Sequence, residues 1–441
     1  MVTEEGSRPD ESLRYSVKDG VFLSLMNGFT LDYFTPFLLV LGGSVRHVAL
    51  LSALPNLFAS LIQLKSPYFV DRFRSRKRLI SVFILLQALM LPPMIAAHLF
   101  GTSRVAAFIA VATLFTAFGA FINPAWGSLM ADLVREDKRG EYFGWRNKVL
   151  GLVGIASTFA AGFILYQAHR FFPGAFWGFF ILFAAAFVFR LVSWRYFNRM
   201  HEPELVPKES DYFSFVDFIS QINTSNFARF VFYVSTMKLC VYVASPFFAV
   251  FMLRGLKFNY LAYTLVTVSA SLAGNFAFKR WGVHADRVGN LKVLRLTSRL
   301  VAVIPILWLF NQNPFYLFAV QAFSGFSWAG FNLASSNFIY DAVSPGKRTR
   351  CIAYFNFLGG ISVCIGSLIG GVLAQRLPAG FFAFGIMNVI LISGLLRLAV
   401  AFLMPVRFRE VRDVEKIRSH QLFLSVLSLR PVLSRAFRGA R

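Results

Sequence analysis

Charge is scarce in this chain, and negative charge scarcer still. Asp, Glu, Lys and Arg make up 15% of its 441 residues, against about 25% in a typical soluble domain, while 56% are hydrophobic and the mean hydropathy is +0.59. So little charge excludes an ordinary water-soluble fold and points to a membrane. The 21 acidic residues are outnumbered by 45 Lys and Arg, a net charge of +24. Nucleic acid would be a natural partner if those cations formed one patch. They stand instead in short runs between apolar segments, the pattern of topogenic charge, so no nucleic-acid partner is expected. Cysteine is nearly absent: Cys240, Cys351 and Cys364 lie within apolar runs without metal-ligand spacing, which argues against a disulfide framework or a zinc site. The histidines His47, His98, His169, His201, His284 and His420 are scattered, and no Gly-x-x-x-x-Gly-Lys-Ser/Thr loop occurs. Neither an enzyme nor an ATP-driven pump is indicated, and no cofactor is expected. Residues 1–19 carry Glu4, Glu5, Arg8, Asp10, Glu11, Arg14, Lys18 and Asp19 around no apolar core, so no cleavable signal peptide is expected and the N-terminus should stay cytoplasmic.

What the chain has is apolar length. A membrane span needs roughly 20 largely apolar residues, and about twelve segments qualify. In the first half they are 20–41, 48–70, 79–99, 105–130, 143–166 and 172–197; in the second, 230–253, 259–281, 291–310, 315–340, 352–375 and 381–404. The even-to-odd connections hold Asp71-Arg72-Phe73-Arg74-Ser75-Arg76-Lys77-Arg78, Lys138 with Arg139, Arg287 with Lys292, and Lys347 with Arg348. The opposite connections hold only Arg46, Arg104, Arg170, Arg254, Lys257 and Arg376. The positive-inside rule then places the first set and both termini in the cytoplasm, with a bacterial inner membrane as the expected location. The expected organisation is a cytoplasmic segment 1–19, a six-helix half 20–197, a cytoplasmic linker 198–229, a six-helix half 230–404 and a basic tail 405–441. The linker opens with His201-Glu202-Pro203-Glu204 and contains an amphipathic run, 213–222; a glycosylation pattern at Asn223-Thr224-Ser225 is discounted in a cytoplasmic loop. In the tail, Leu422, Phe423, Val426, Leu427 and Leu429 form an apolar stripe before Pro431. An interfacial helix on anionic inner-leaflet lipid is expected there, a protein-binding tail being the alternative.

The two halves repeat one another. Adding 209 carries Asn123 to Asn332, Asp132 to Asp341, Lys138 to Lys347, Arg139 to Arg348, Asn147 to Asn356, Gly151 to Gly360 and Gly162 to Gly371. Each copy reads as a helix ending in Asp, a basic loop, and a second helix with Asn near its start and Gly along one side. The Gly-rich eleventh span, with Gly366-x-x-x-Gly370, is of the kind that lets helices approach closely.

The loop Gly282-Val283-His284-Ala285-Asp286-Arg287-Val288-Gly289-Asn290-Leu291-Lys292 resembles the signature of the major facilitator superfamily, Gly-x-x-x-Asp-Arg-x-Gly-x-x-Lys/Arg. Its first-half copy keeps Asp71 and Arg72 but has Pro67 and Arg74 where the glycines belong. Residues 131–147 resemble the loop joining the fourth and fifth helices of many bacterial members, and the resemblance covers about 20–404. It implies an all-α membrane fold of about 12 transmembrane helices, in two pseudo-symmetric six-helix bundles that rock about a central cavity. The leading expectation is a monomeric secondary active transporter for a small organic solute, coupled to protons, although Gly151, Gly154 and Gly162 in the fifth span stand without a Pro, so the resemblance itself does not imply proton antiport. The resemblance also implies a cytoplasmic gate built from Asp71, Arg72, Asp286 and Arg287 together with Asp132, Arg139, Asp341 and Arg348. Such an Asp can accept from the amides at a neighbouring helix N-terminus while Arg bridges the bundles; purely topogenic charge is the simpler alternative.

Ionisable groups inside spans are costly and usually functional. In the first span Gly28, Asp32, Thr35 and Pro36 share a helical face, and in the seventh Ser235, Lys238, Tyr242 and Ser245 do. An offset of 210 pairs Pro36 with Pro246, which makes the two faces equivalent. By the resemblance both helices line the cavity, so Asp32 and Lys238 are expected to approach its centre, with Asp32 carrying the coupled proton. Asn123, Trp126, Asn147, Gln321, Trp328, Asn332 and Asn356 are the candidate substrate contacts; helix-to-helix hydrogen bonding is the alternative for each Asn. Arg190 and Arg397 are expected to snorkel from span ends, whereas Arg299 stands about two turns inside. A non-transporting sensor or assembly partner, and an uncoupled facilitator, remain the competing functions.

Overall fold

The computed structural model describes residues 4–427 except 74, 136–137, 172–174, 204–214, 221–224, 344, 379–381, 383, 406–407, 413 and 415–418. Within its helices, the side chains of 4–10, 64–73, 140, 216–217, 345–346 and 348–349 also lie outside the description. Two gate candidates, Asp71 and Arg72, and the Arg348 side chain fall there, as do parts of the linker run and the end of the tail stripe.

The first half is built from α1 (Glu4–Thr30) and α2 (Phe34–Val40), α3 (Val45–Phe73), α4 (Arg76–Leu89) continued by α5 (Leu91–Ala96), α6 (Arg104–Leu133), α7 (Arg139–Phe171) and α8 (Phe176–Asn198). The linker contains α9 (Phe215–Ser220). The second half has α10 (Asn226–Tyr242) and α11 (Phe247–Val250), then α12 (Tyr260–Val288), α13 (Asn290–Phe310), α14 (Pro314–Ala342), α15 (Pro345–Arg376) and α16 (Gly385–Leu403), with α17 (Ser419–Val426) in the tail. Among the described residues nine helical stretches are long and apolar enough to cross a bilayer, and one of them, Arg76–Leu133, holds two successive spans. The expected first span is not among them although α1 has 27 residues, because polar groups such as Asn27, Thr30 and Asp32 lower its apolarity. The tenth, α14, is diluted by Gln321, Ser324, Ser327, Asn332, Ser335, Ser336 and Asn337. Among the described residues the rods in chain order number twelve, as the hydropathy predicts.

Two compact units emerge, and their borders cut through α12, α15 and α16 rather than following the repeat. One comprises Met1–Lys208, Tyr242–Val268 and Gly359–Val389; the other comprises Glu209–Val241, Ser269–Leu358 and Ile390–Arg441.

Lipid is as apolar as Leu, so helices in a membrane associate through close packing and polar contacts rather than by hiding oil from water. In the first unit Phe34, Phe37, Phe108, Phe179 and Phe183 meet with ring centroids 5.1–6.3 Å apart, several of them edge to face. Such pairs contribute about 0.5–1.5 kcal/mol each beyond area burial. The glycines of α15 work as the small-residue pattern predicts: a Cβ on Gly371 would press into Ala49, one on Gly360 into Ser60, and one on Gly370 would overlap the Val243 carbonyl. In the second unit Gly325 of α14 lies so close to α12 that a Cβ would overlap the Ala270 carbonyl.

Two expectations are corrected. Arg190 and Arg397 do not snorkel; they are 2% and 3% exposed. Arg190 donates to Ser193 Oγ (3.0 Å), which in turn donates to Asp19 (2.6 Å). Arg397 donates to the carbonyls of Val241 (3.2 Å) and Val301 (3.4 Å) and to Ser393 Oγ (3.1 Å). The physical reason is acceptor supply: Val301 stands four residues before Pro305, whose missing N–H leaves that carbonyl unpaired. The tail stripe, likewise, does not lie open to lipid. Leu422 and Val426 are fully buried, Phe423 meets Phe326, and Ser425 shares a 2.8 Å hydrogen bond with His284. Its apolar face is covered by α12, α13 and α14 of the same unit.

Gly325→Leu is expected to prevent α12 and α14 from packing and to abolish a monodisperse, folded protein in detergent gel filtration. Gly154→Ala, where a Cβ meets nothing within 4 Å, should leave elution and melting temperature unchanged.

Candidate functional site

The helix break at Leu31–Tyr33 is written in the sequence by Pro36. Proline has no N–H, so the carbonyl four residues earlier, that of Asp32, loses its helical partner, and in hydrocarbon it must find another. It finds Tyr263 at the start of α12, whose hydroxyl donates to it at 2.8 Å. Tyr33, fully buried beside it, donates to the Thr158 carbonyl of α7 at 2.6 Å and shares a 2.9 Å hydrogen bond with Thr264 Oγ1. The α7 backbone can come this close because Gly162 presents no side chain: a Cβ there would overlap Thr264 Oγ1. About one turn away Gly28 is matched in the same way to Ser157. The Asp32 carboxyl itself is half-buried. One acid is thus held at a broken helix where α1, α7 and α12 converge, all within the first unit.

The seventh span breaks in the corresponding place, between Tyr242 and Phe247, around Pro246. Lys238 lies one turn before the break, its Nζ 4.8 Å from the Phe355 ring centroid. Asp32 and Lys238 belong to different compact units. The four repeat-related asparagines behave alike: Asn123, Asn147, Asn332 and Asn356 are exposed, and none makes a side-chain hydrogen bond to another described residue. The helix-to-helix alternative for them therefore finds no support. Trp126 is half-buried under the Arg146 guanidinium (4.6 Å) and beside Phe143, Trp328 packs on Phe331, and Gln321 is half-buried. Arg299 stacks on Phe402 at 4.7 Å.

At the basic connections each half closes over a glutamate that follows its sixth rod. Glu202 accepts from Ser75 Oγ (2.6 Å) and from the first amides of α4, Arg76 N (2.6 Å) and Lys77 N (3.2 Å). Glu410, its partner at an offset of 208, accepts from Leu291 N at the start of α13 at 2.7 Å. Anions at helix N-termini are favoured by unpaired amides and the helix dipole together. The fourth-rod aspartates complete the pattern. Asp132 pairs with the buried Arg76 (2.5 Å), which also donates to Ser128 and the Pro203 carbonyl; Asp341 accepts from Asn290 (2.7 Å) and pairs with Arg412 (3.2 Å). Arg139 caps the end of α6 through the Ala131 carbonyl (2.5 Å). The Asp286 and Arg287 side chains are exposed and make no hydrogen bond to another described residue. Gly289 after them has φ +85°, and Glu410 occupies the space a side chain would need, so the signature glycine answers two constraints at once.

The family model described as Major Facilitator Superfamily matches residues 20–309 and 239–440. The chain belongs to the major facilitator superfamily. Sequence comparison with curated proteins finds no match. Three solved structures are similar to this member of the superfamily. The nucleoside transporter NupG has 14% identity and a TM-score of 0.67, with 90% of this chain and 99% of that one covered. A D-xylose-proton symporter has 12% identity and a TM-score of 0.70, covering 94% and 100%. A bacterial homologue of the human lysosomal transporter Spinster, inward-facing and unoccupied, has 14% identity and a TM-score of 0.63, covering 93% and 99%. At such identities the likeness is one of fold. As a superfamily member this is an integral, multi-pass membrane protein.

Sequence reasoning singled out Asp32, Asp132 and Asp341 but missed Tyr33, Tyr263 and Thr264, and the paired Glu202 and Glu410. The glutamates were within reach, since the same offset that relates Asp132 to Asp341 relates them to within one residue. Glu202→Ala leaves Arg76, 1% exposed, with Asp132 as its only acid partner among the described residues. By removing the acceptor of Ser75 and two α4 amides it is expected to cost this superfamily protein about 1–3 kcal/mol and to lower its melting temperature clearly more than Glu410→Ala. Asp286→Asn should leave that temperature unchanged, as scanning fluorimetry in detergent would record.

Proposed function

We propose that this superfamily member is a secondary active transporter that moves a small organic solute by alternating access, with Asp32 carrying a coupled proton. The observation that supports this best is the break at Leu31–Tyr33, which holds a single acid where three helices meet. Broken helices at membrane depth are tolerated where they line a cavity, and they mark ion and substrate sites. A carboxyl there can exchange its proton as hydration changes between access states, whereas a merely structural acid would need a permanent partner. The exposed Asn123, Asn147, Asn332 and Asn356, with Trp126, Gln321 and Trp328, are proposed to contact the solute, and Lys238 to supply the opposing charge. Asp71, Arg72, Asp286 and Arg287, with Asp132, Arg139, Asp341 and Arg348, are proposed to form the cytoplasmic gate.

Positive-inside charge supports an orientation with both termini cytoplasmic, a monomer being sufficient for the cycle. The tail beyond Pro405 is proposed to meet anionic lipid through its cations, not through an inserted apolar stripe. A substrate screen in proteoliposomes, with and without a pH gradient, is the test of the transport reading; absence of uptake and counterflow for every solute class would favour a sensor.

With a substrate in hand, a gradient of one pH unit should drive about tenfold accumulation at one proton per solute. Asp32→Asn should abolish that accumulation and keep counterflow. Full pH-driven accumulation by the variant would show that Asp32 does not carry the proton. Asp286→Asn should alter maleimide labelling of a cytoplasmic-side cysteine at normal expression, and unaltered labelling would remove Asp286 from the gate.

A further inference from the structure

The connections opposite the basic loops have an unusual charge pattern. Residues 41–47, 97–104, 170–175, 254–259, 311–313 and 376–384 contain no Asp or Glu; apart from Asp32, every one of the 21 acids lies toward the other connections. Arg46, Arg104, Arg170, Arg254, Lys257 and Arg376 all belong to the first unit. Three of them converge on one cavity. Arg170 and His169 at the end of α7, Arg254 and Lys257 in the turn before α12, and Tyr166 and Asn259 line a hollow of about 450 Å³ into which no carboxylate projects. That volume lies within the range of metabolite pockets.

The turn that carries Arg254 and Lys257 is held in shape. Phe251–Gly255 forms a π turn, closed by Leu256 N donating to the Phe251 carbonyl (2.8 Å) and Phe258 N to that of Met252 (2.9 Å). Arg254 is tethered by a 3.2 Å hydrogen bond to the Leu39 carbonyl of α2. Lys257 has φ +55°, the one positive φ at a non-glycine position among the described residues. A strained backbone of this kind persists only where its surroundings fix it, and it clusters at binding sites. The N-terminus of α12 is already satisfied by Asn259, whose Oδ1 accepts from Ala262 N at 2.8 Å, so the attraction of the cavity comes from its side-chain cations. Three cations around one cavity whose described lining holds no acid concentrate anions.

We propose that this cavity binds the phosphate group of a small organic phosphate at the extracytoplasmic mouth, with Arg170, Arg254 and Lys257 as its ligands. The guanidinium forks match phosphate oxygens and the lysine adds a point charge. The site deepens the transporter reading by naming a substrate class, and it rests on that reading for the word mouth. The same chemistry is offered by a free phosphate monoester and by a lipid headgroup.

Calorimetric titration of the full-length protein in phosphatidylcholine nanodiscs with glycerol 3-phosphate, and with glycerol as the neutral control, tests it. Saturable binding of the phosphate alone, weakened by salt, is expected. Arg254→Gln with Lys257→Gln should weaken it by about tenfold or more, since each lost charge-assisted contact is a large one. Arg46→Gln with Arg376→Gln, which removes the same charge outside the cavity, should change it less than threefold. In phosphatidylglycerol nanodiscs, loss of the titration together with lipid retained in native mass spectrometry by wild type but not by the cavity variant identifies a headgroup as the occupant. A preserved titration identifies the soluble phosphate. Equal weakening by both double variants, or no binding of phosphate or phosphatidylglycerol by wild type, overturns the proposal. Because the readout is binding, it can fail while proteoliposome transport persists, and a failure of transport leaves it standing.

Discussion

The constraint on which the rest of this structure depends is that hydrocarbon offers no partner to a backbone carbonyl. A proline inside a span creates such a carbonyl at a fixed place, four residues earlier. At Pro36 the orphan belongs to Asp32 and is taken by Tyr263; at Pro305 it belongs to Val301 and is taken by Arg397. Each satisfaction draws a side chain from another helix to a defined depth. The prolines therefore do more than kink rods: they decide which helices are hydrogen-bonded to which. In the first unit that decision gathers α1, α7 and α12 around Asp32, the acid proposed to carry the coupled proton.

Close approach is the second requirement, and small residues meet it. Gly28, Gly162, Gly325, Gly370 and Gly371 each sit where a methyl group would strike a neighbour. In water such contacts would be secondary to the burial of oil; in lipid, packing and interhelical hydrogen bonds are what remains. Glycine and hydroxyl are often paired across the interface, as with Gly28 and Ser157 or Gly162 and Thr264, so that the site of closest approach is also a site of polar contact.

Duplication gives the basic end its order. After each sixth rod the chain turns back and places a glutamate on the first amides of the third rod of that half, while the aspartate of the fourth rod binds beside it. One half uses Arg76 and the other Asn290 with Arg412 to meet that aspartate. The geometry survives although the residue types differ, because unpaired amides at a helix start attract an anion whatever the neighbouring side chain is. The tail helix is drawn into the same arrangement, which is why its apolar stripe is covered by protein.

By itself the sequence determined the all-helical membrane class, the number and order of the rods, the repeat and the superfamily, since each follows from local quantities: the length of apolar runs, the alternation of basic loops, a motif and an offset. It placed Asp32 and Pro36 on one face of the first span but read that span as continuous, and the break at Leu31–Tyr33 came from the structure. Only the tertiary structure decided what answers that break. Tyr263 and Thr264 stand 231 residues from Asp32 and Tyr33, and nothing local distinguishes them from other hydroxyls in spans. The burial of Arg190 and Arg397 was hidden as well, since Arg397 finds the Val241 and Val301 carbonyls on other helices and Arg190 bonds Ser193 of its own helix, which Asp19 of α1 holds in place. Charge near a span end reads locally as snorkelling, and only the presence of carbonyls and a serine at the right distance turns it inward.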